Sequence, residues 1–224
     1  MTPSEPMADC TAMAPAPAPD EDERLMAAFA AGEAAAFERL YAGHRQGLYR
    51  FVRRLLGSAL AAQADEVFQD TWLRVVQSSQ DFKPRSAGAG AGFRTWLYTL
   101  AHHRAIDVLR RSGRESALPE DEDGTPFEPE GTAWADWPAG AAAGQADALF
   151  WRRAGERLLG CLDQLPVGQR AVFLLHHEDG CSLAEIGHSL ELGFETARSR
   201  LRYAMARLRT CMGAYLPAAE GSGS

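Results

Sequence analysis

His103 and Asp107 stand four residues apart in "FRTWLYTLAHHRAIDVLRR", and His102-His103 and His176-His177 form adjacent pairs. Imidazoles and carboxylates one helical turn apart can hold a zinc ion and activate its bound water. A hydrolytic centre of that kind needs a spacing such as H-E-x-x-H, which the chain lacks. The four cysteines, Cys10, Cys161, Cys181 and Cys211, make no C-x-x-C pair. Free or buried thiols are therefore expected, not a zinc site or a disulfide frame, and no cofactor is expected.

A second constellation suits a different chemistry. In "FETARSRLRYAMARLRTCM", residues 194–212, a helical projection puts Ala197, Leu201, Ala204, Met205, Leu208 and Met212 on one side. The opposite side gathers Glu195, Thr196, Ser199, Arg200, Arg202, Tyr203 and Arg207. Guanidinium forks and hydroxyls fit phosphate oxygens and guanine edges. Just upstream, "SLAEIGHSL" begins with Ser182 and has Glu185 three residues later, a capping box, with Cys181 and Ile186 placed as a hydrophobic staple. A short capped helix, the turn "ELG" and an arginine-rich helix predict a helix-turn-helix that enters a major groove. A plain helical hairpin is the alternative.

The net charge of -7 speaks against nucleic acid until its distribution is examined. Residues 1–24 carry six acids and one arginine, and residues 112–150 carry nine acids and one arginine. Residues 25–111 carry twelve basic side chains against seven acidic, and residues 151–213 nine against seven. The acidity thus sits in the tail and the middle, leaving two basic blocks.

Those blocks also follow from the elements. The Pro/Ala-rich residues 1–19 have little to bury and predict a disordered tail. Residues 112–148 lose helical periodicity and gain proline, glycine and acid, which predicts a flexible linker too long for a loop within one compact domain. Neither flank alternates as strands do. The expected fold is all-α, with two small helical domains at 20–111 and 149–216 and a short tail at 217–224.

Helices are predicted near 21–31, 33–56, 64–79 and 92–111, with stops at Gly32 and Gly57-Ser58, then two helices parted by Pro166 ahead of the helix-turn-helix. In "ADEVFQDTWLRVVQ", Val67, Phe68, Thr71, Trp72, Val75 and Val76 form the inward stripe. Asp65, Glu66, Gln69 and Asp70 face away, either as a solvated acidic face or as a docking face for a basic partner. The helix 93–111 resolves into three wedges. Phe93, Trp96, Leu97, Leu100, Ala101 and Val108 form a core stripe, with Arg104 and Asp107 as an i, i+3 ion pair inside it. Thr95, Thr99, His102, His103 and Arg110 form a polar wedge, and Tyr98 and Leu109 a third patch with no evident partner.

With both blocks read, the chain resembles the extracytoplasmic-function (ECF) sigma factors of the bacterial sigma-70 family. The likeness rests on "ADEVFQDTWLRVV" and "FRTWLYTLAHHRAIDVLRR" in the first half. In the second it rests on "LDQLPVGQRAVFLLHHEDGCSLAEIGHSLELGFETARSRLRYAMARLR". The resemblance implies a non-enzymatic specificity subunit that binds core RNA polymerase and directs it to promoter DNA. It implies that Asp65, Glu66, Gln69, Asp70 and Arg74 dock on the beta-prime clamp helices, and that the second domain meets the beta flap. Thr95, Thr99, His102, His103, Arg110 and Arg111 would read the -10 element. Glu195, Thr196, Arg198, Ser199, Arg200, Arg202 and Tyr203 would read the -35 element. An anti-sigma factor is the implied regulator. The acidic N-terminus and the absence of a long apolar run predict a cytoplasmic location without membrane insertion. Departures from the family pattern fall at His103, Glu191, Tyr203 and Met205 and in the glycine-rich loop "DFKPRSAGAGAG". An ordinary helix-turn-helix regulator and a metal hydrolase remain the competing classes.

Overall fold

A computed structural model describes residues 19–80, 82, 92–113 and 145–215. The expected N-terminal tail, almost all of the expected linker, the C-terminal tail and nearly all of the glycine-rich loop lie outside the described residues. Within them every regular element is helical: α1 Pro19–Ala30, α2 Ala34–Leu56, α3 Ala64–Gln77 and α4 Phe93–Arg111, then α5 Gln145–Asp163, α6 Val167–His177, α7 Leu183–Ser189 and α8 Phe194–Met212. A 3-10 helix, Ser58–Gln63, joins α2 to α3 where the sequence pattern marked only a stop.

The spine of the first group is α2, which buries Leu40, His44, Leu48, Phe51, Val52 and Leu55 at helical spacing. It ends at Gly57, whose φ of 74° lies in the left-handed region that glycine enters without steric cost. α1 packs on α2 and closes it with a buried pair, His44 Nε2 to Asp22 Oδ2 at 2.8 Å. α3 lies against α2 and α4, burying Val67, Thr71, Trp72 and Val75. Val76 is exposed, contrary to the predicted stripe. The buried line Val67–Thr71–Val75 already fills the groove, and Val76, about 100° further round, points outward beside Leu73.

In α4 the core wedge is narrower than the pattern predicts. Phe93, Leu97, Ala101 and Val108 are buried, while Trp96 and Leu100 are half-buried. The predicted Arg104–Asp107 pair does not form. Arg104 Nε donates to Asp70 Oδ2 at 2.7 Å and its Nη2 to Glu66 Oε1 at 3.3 Å, both on α3, and Asp107 lies 4.0 Å from Arg110. Tight packing of α3 on α4 offers the guanidinium two carboxylates across the groove, a better match to its fork than one on its own helix.

In the second group α6, α5 and α7 all pack on α8. The capping box is present: the Ser182 amide donates to Glu185 Oε2 at 2.8 Å, and the Glu185 amide to Ser182 Oγ at 3.3 Å. The expectation of free thiols is corrected, because Cys161 on α5 and Cys211 on α8 form a disulfide. Their Cα atoms are 5.9 Å apart, within the range such a bond requires. A separation of 50 residues carries no local signal of pairing. The two groups also share one apolar cluster, since α2 packs on α6 and α4 on α7.

Candidate nucleic-acid interface

The helix-turn-helix is assembled from local chemistry. The capping box fixes the start of α7, and the chain then turns through Glu191 at φ 56°, the left-handed region in a residue with a side chain. Gly187 permits the turn to close, because a Cβ there would come within 2.9 Å of the Leu192 carbonyl oxygen. α8 follows with Ala197, Ala204, Leu208 and Met212 buried. Glu195 and Arg198 are exposed and 3.7 Å apart, while Thr196, Ser199, Arg200, Arg202 and Tyr203 are half-buried. The Arg202 guanidinium lies 5.2 Å from the centre of the Tyr203 ring, a cation–π distance that holds both side chains against the helix.

The acidic candidates on α3 split into two sets. Asp65, Glu66, Gln69 and Arg74 are exposed. Asp70 is half-buried and already bonded to Arg104. The same face carries Leu73 and Val76, 54% and 41% exposed. Leu73 was not among the sequence candidates, although an apolar residue between two polar ones on an outward face was a readable signal.

Part of the polar wedge of α4 is covered, while His103 and Arg110 stay exposed. Thr95 is buried, and its carbonyl accepts bonds from Thr99 Oγ1 at 2.8 Å and from Ser189 Oγ of α7 at 3.4 Å. His102 is half-buried, and burial pushes its imidazole down to about 4, helped by the charges of His103 and of Arg200 on α8. His103 Nε2 stands 3.8 Å from Glu191 Oε1 in the helix-turn-helix turn, so two departures from the family pattern face each other. Arg110 and Arg111, at the far end of α4, are exposed. The -10 and -35 candidates are thus brought together, with α7 seated on α4.

Sequence reasoning missed the groups that make this seat. Tyr98 is the patch that lacked a partner, and its hydroxyl donates to Asp179 Oδ1 at 2.6 Å, 81 residues away. Burial raises both groups, the Asp179 carboxyl to about 6. Arg170 is 6% exposed and stands alone in the apolar run "VGQRAVFLL", a readable sign that a charge is being paired in the interior. Its Nη1 donates to the Leu55 carbonyl of α2 at 3.1 Å, and its Nη2 to the carbonyls of Asp163 and Leu165 at 2.8 and 3.2 Å. The Ser58 amide in turn donates to Asp163 Oδ2 at 3.1 Å. The histidine pairs do not build a metal site: among the described residues no group of three His, Cys, Asp or Glu side chains could hold an ion.

The Sigma-70 region 2 family model matches residues 40–115, and the Sigma-70 region 4 model matches residues 155–208. Among curated relatives, the ECF RNA polymerase sigma factor SigK of Mycolicibacterium vanbaalenii is 30% identical over 86% of this chain and 90% of its own length. The chain belongs to the ECF sigma factors. SigL of Mycobacterium tuberculosis is 34% identical over 80% of this sigma factor and 90% of the relative. The solved structure of CnrH with the cytosolic domain of CnrY covers 87% of this chain and 99% of that one, at a TM-score of 0.59 and 24% identity. A sigma factor RpoE bound to the anti-sigma factor NepR, from Bartonella quintana, covers 79% and 96% at a TM-score of 0.55 and 21% identity. These two likenesses support the fold alone. The helices Ala34–Arg111 fall largely in region 2 of this sigma factor, and α5–α8 in region 4. No helix among the described residues is long and apolar enough to cross a membrane.

Proposed function

We propose that this sigma factor divides its work as its faces suggest. Region 2 spans about 20–111, region 4 about 149–216, and the acidic linker between them threads the polymerase's nucleic-acid channel. Asp65, Glu66, Gln69, Asp70 and Arg74, with Leu73, dock on the clamp helices of the beta-prime subunit, and region 4 meets the beta flap. Thr95, Thr99, His102, His103, Arg110 and Arg111 read the -10 element. Glu195, Thr196, Arg198, Ser199, Arg200, Arg202 and Tyr203 enter the -35 major groove. The protein is a specificity subunit without a catalytic site of its own. It works in the cytoplasm under an anti-sigma factor, the class of partner named in the RpoE–NepR structure.

The observation that carries this reading is the capped α7, tight turn and arginine-bearing α8 in one chain with an exposed acidic and apolar face on α3. Either alone would suit an ordinary regulator, but the pair suits a subunit that holds DNA and polymerase together. The test is run-off transcription with core polymerase on genomic DNA. Arg198→Ala, Arg200→Ala and Arg202→Ala together should lower promoter-specific initiation at least about tenfold, since each base contact contributes about 1 to 3 kcal/mol, and leave core binding intact. Unchanged start-site use would refute the assignment of α8.

A further inference from the structure

We propose that Phe194, the first residue of α8, is a further specificity-determining residue of this sigma factor: its ring packs on the C5-methyl group of one thymine in the -35 major groove. This rests on the assignment of α8 to that groove, and Phe194 is not among the residues assigned to it. Two observations and the chemistry of the groove support it.

The first observation is an aromatic ring left uncovered. Phe194 is 51% exposed, although a projection at about 100° per residue places it on the inward line of Ala197, Leu201, Ala204 and Leu208. The stripe therefore outruns its own core by one turn. The Cα–Cβ bonds of a helix tilt toward its N-terminus, so the ring of the first residue extends past the end of α8. Among the described residues the other large apolar side chains that stay exposed lie on α3 and α5. Phe194 is thus the one carried by the helix-turn-helix, at its leading tip.

The second observation is what surrounds the ring. Gly193 caps α8 at φ -65° and ψ 151° without a side-chain bond, and a Cβ there would meet nothing nearer than Thr196 Oγ1 at 3.8 Å. Neither the dihedrals nor crowding within the chain demands glycine, and its bare backbone lets an outside surface come close to the ring. Ser182, which starts α7, has by contrast a full capping box. On the other side of the ring Arg198 and Glu195 are exposed and 3.7 Å apart, and Arg200 and Arg202 follow within two turns. That much cationic charge beside the ring suits the phosphate-lined edge of a nucleic-acid groove.

The groove itself narrows the target. Base edges in the major groove present hydrogen-bond donors and acceptors, and the thymine C5-methyl is the apolar group among them. A ring with neither donor nor acceptor gains nothing from a guanine or adenine edge and strips water from it. On a thymine methyl it buries apolar surface on both partners. The arginines and hydroxyls of α8 read polar edges beyond it, so Phe194 sets one position of the element and leaves the others to them.

The experiment uses the full chain bound to core polymerase, on a promoter that run-off transcription returns, with each thymine of the -35 element replaced in turn by deoxyuridine. That change removes the methyl group alone. At one thymine it should lower wild-type initiation about fourfold, the scale for burying one methyl group, and at that thymine Phe194→Ala should show no such loss. Phe194→Leu should keep part of it. Because the ring is exposed, both variants should unfold at the wild-type denaturant midpoint, which separates a reading defect from a folding defect. A -35 element without thymine, no loss at any thymine, or losses equal in the wild type and Phe194→Ala overturns the proposal. Equal losses are also the result if the ring serves a protein partner. After any of these results the sigma-factor reading stands if Arg198→Ala, Arg200→Ala and Arg202→Ala together still lower promoter-specific initiation. A triple variant that initiates like the wild type sinks the assignment of α8 itself, whatever deoxyuridine does.

Discussion

The outer face of α3 and the polar wedge of α4 share a chemical description: carboxylates, amides, hydroxyls and imidazoles on the side of a helix away from its own core. One is open, with Asp65, Glu66 and Gln69 in solvent, and the other is roofed in part by α7, over Thr95. A helical projection identifies which residues avoid the local core. It does not identify what lies opposite them, which can be water, a partner or another part of the chain. On the covered side Thr99 Oγ1, the Thr95 carbonyl and the Tyr98 hydroxyl have hydrogen-bond partners, whereas the buried His102 Nδ1 has none. The open face tolerates two exposed apolar side chains.

That contrast can be broken most severely at Arg170. Arg170→Met strips the Leu55, Asp163 and Leu165 carbonyls of their donor, and we expect the folded state to lose about 3 kcal/mol, the scale for removing one member of a buried charged network. Chemical denaturation checks it, and a loss under about 1 kcal/mol would mean that Arg170 is not anchoring the halves. Next in size is Cys161→Ser or reduction of the disulfide. A closed loop of 50 residues corresponds to about 2 to 4 kcal/mol, and amide exchange should rise in α5 and α8 and not in α3.

The pH response sharpens the comparison further. Asp179 is raised from 3.8 to about 6 by burial, against the pull of the Tyr98 hydroxyl, Arg94 and Arg50 and with the push of Glu178. It therefore stabilises the folded chain below about pH 4 and loses that effect as pH rises through about 6. His102 is lowered from 6.5 to about 4, so its contribution is complete above 6.5 and is lost as pH falls towards 4. His177, lowered to about 4 by burial and by His176, acts in the same direction as His102, so the wild-type fold should lose stability as pH falls from about 6.5 towards 4, with Asp179 offsetting part of the loss. Asp179→Asn should steepen that loss and His102→Gln should flatten it, each by about 3 kcal/mol at most, read by chemical denaturation at a series of pH values. A His102→Gln variant as steep in pH as Asp179→Asn would contradict this assignment. The smallest effect on folding belongs to the open face. Gln69→Arg should change stability by less than about 0.5 kcal/mol while weakening core-polymerase binding, measured by pull-down. It is a cleaner probe than Asp70, whose carboxylate is engaged by Arg104, or Asp65, which hydrogen-bonds the Tyr49 hydroxyl.

Much of the fold was legible because its signals are local. The capping box at Ser182 and Glu185, the limits of α8 and the inward line Val67–Thr71–Val75 each depend on residues within a few turns of one another. What was illegible depends on partners far away in sequence. Arg104 was matched with Asp107 on its own helix because that carboxylate was the visible one, and the pair on α3 was 34 and 38 residues distant. Cys161 and Cys211 looked like isolated thiols for the same reason. Tyr98 marked the covered side as a patch without a partner, yet nothing in the pattern named Asp179. Residue types in the site were readable, and their exposure was not.

The disulfide has a bearing on aim. α8 is pinned near its C-terminal end, at Cys211 by the bond to Cys161 and by the Arg157 guanidinium, which donates twice to the Cys211 carbonyl at 3.1 and 3.2 Å. Its nineteen residues make a pointer about 28 Å long, with Glu195, Thr196 and Arg198 at the tip. A tilt of roughly 5° about the pin swings that tip by about 2.5 Å, close to the rise between neighbouring base pairs of about 3.4 Å. With α8 in the major groove as proposed, the pin at one end would govern which base pair the other end meets.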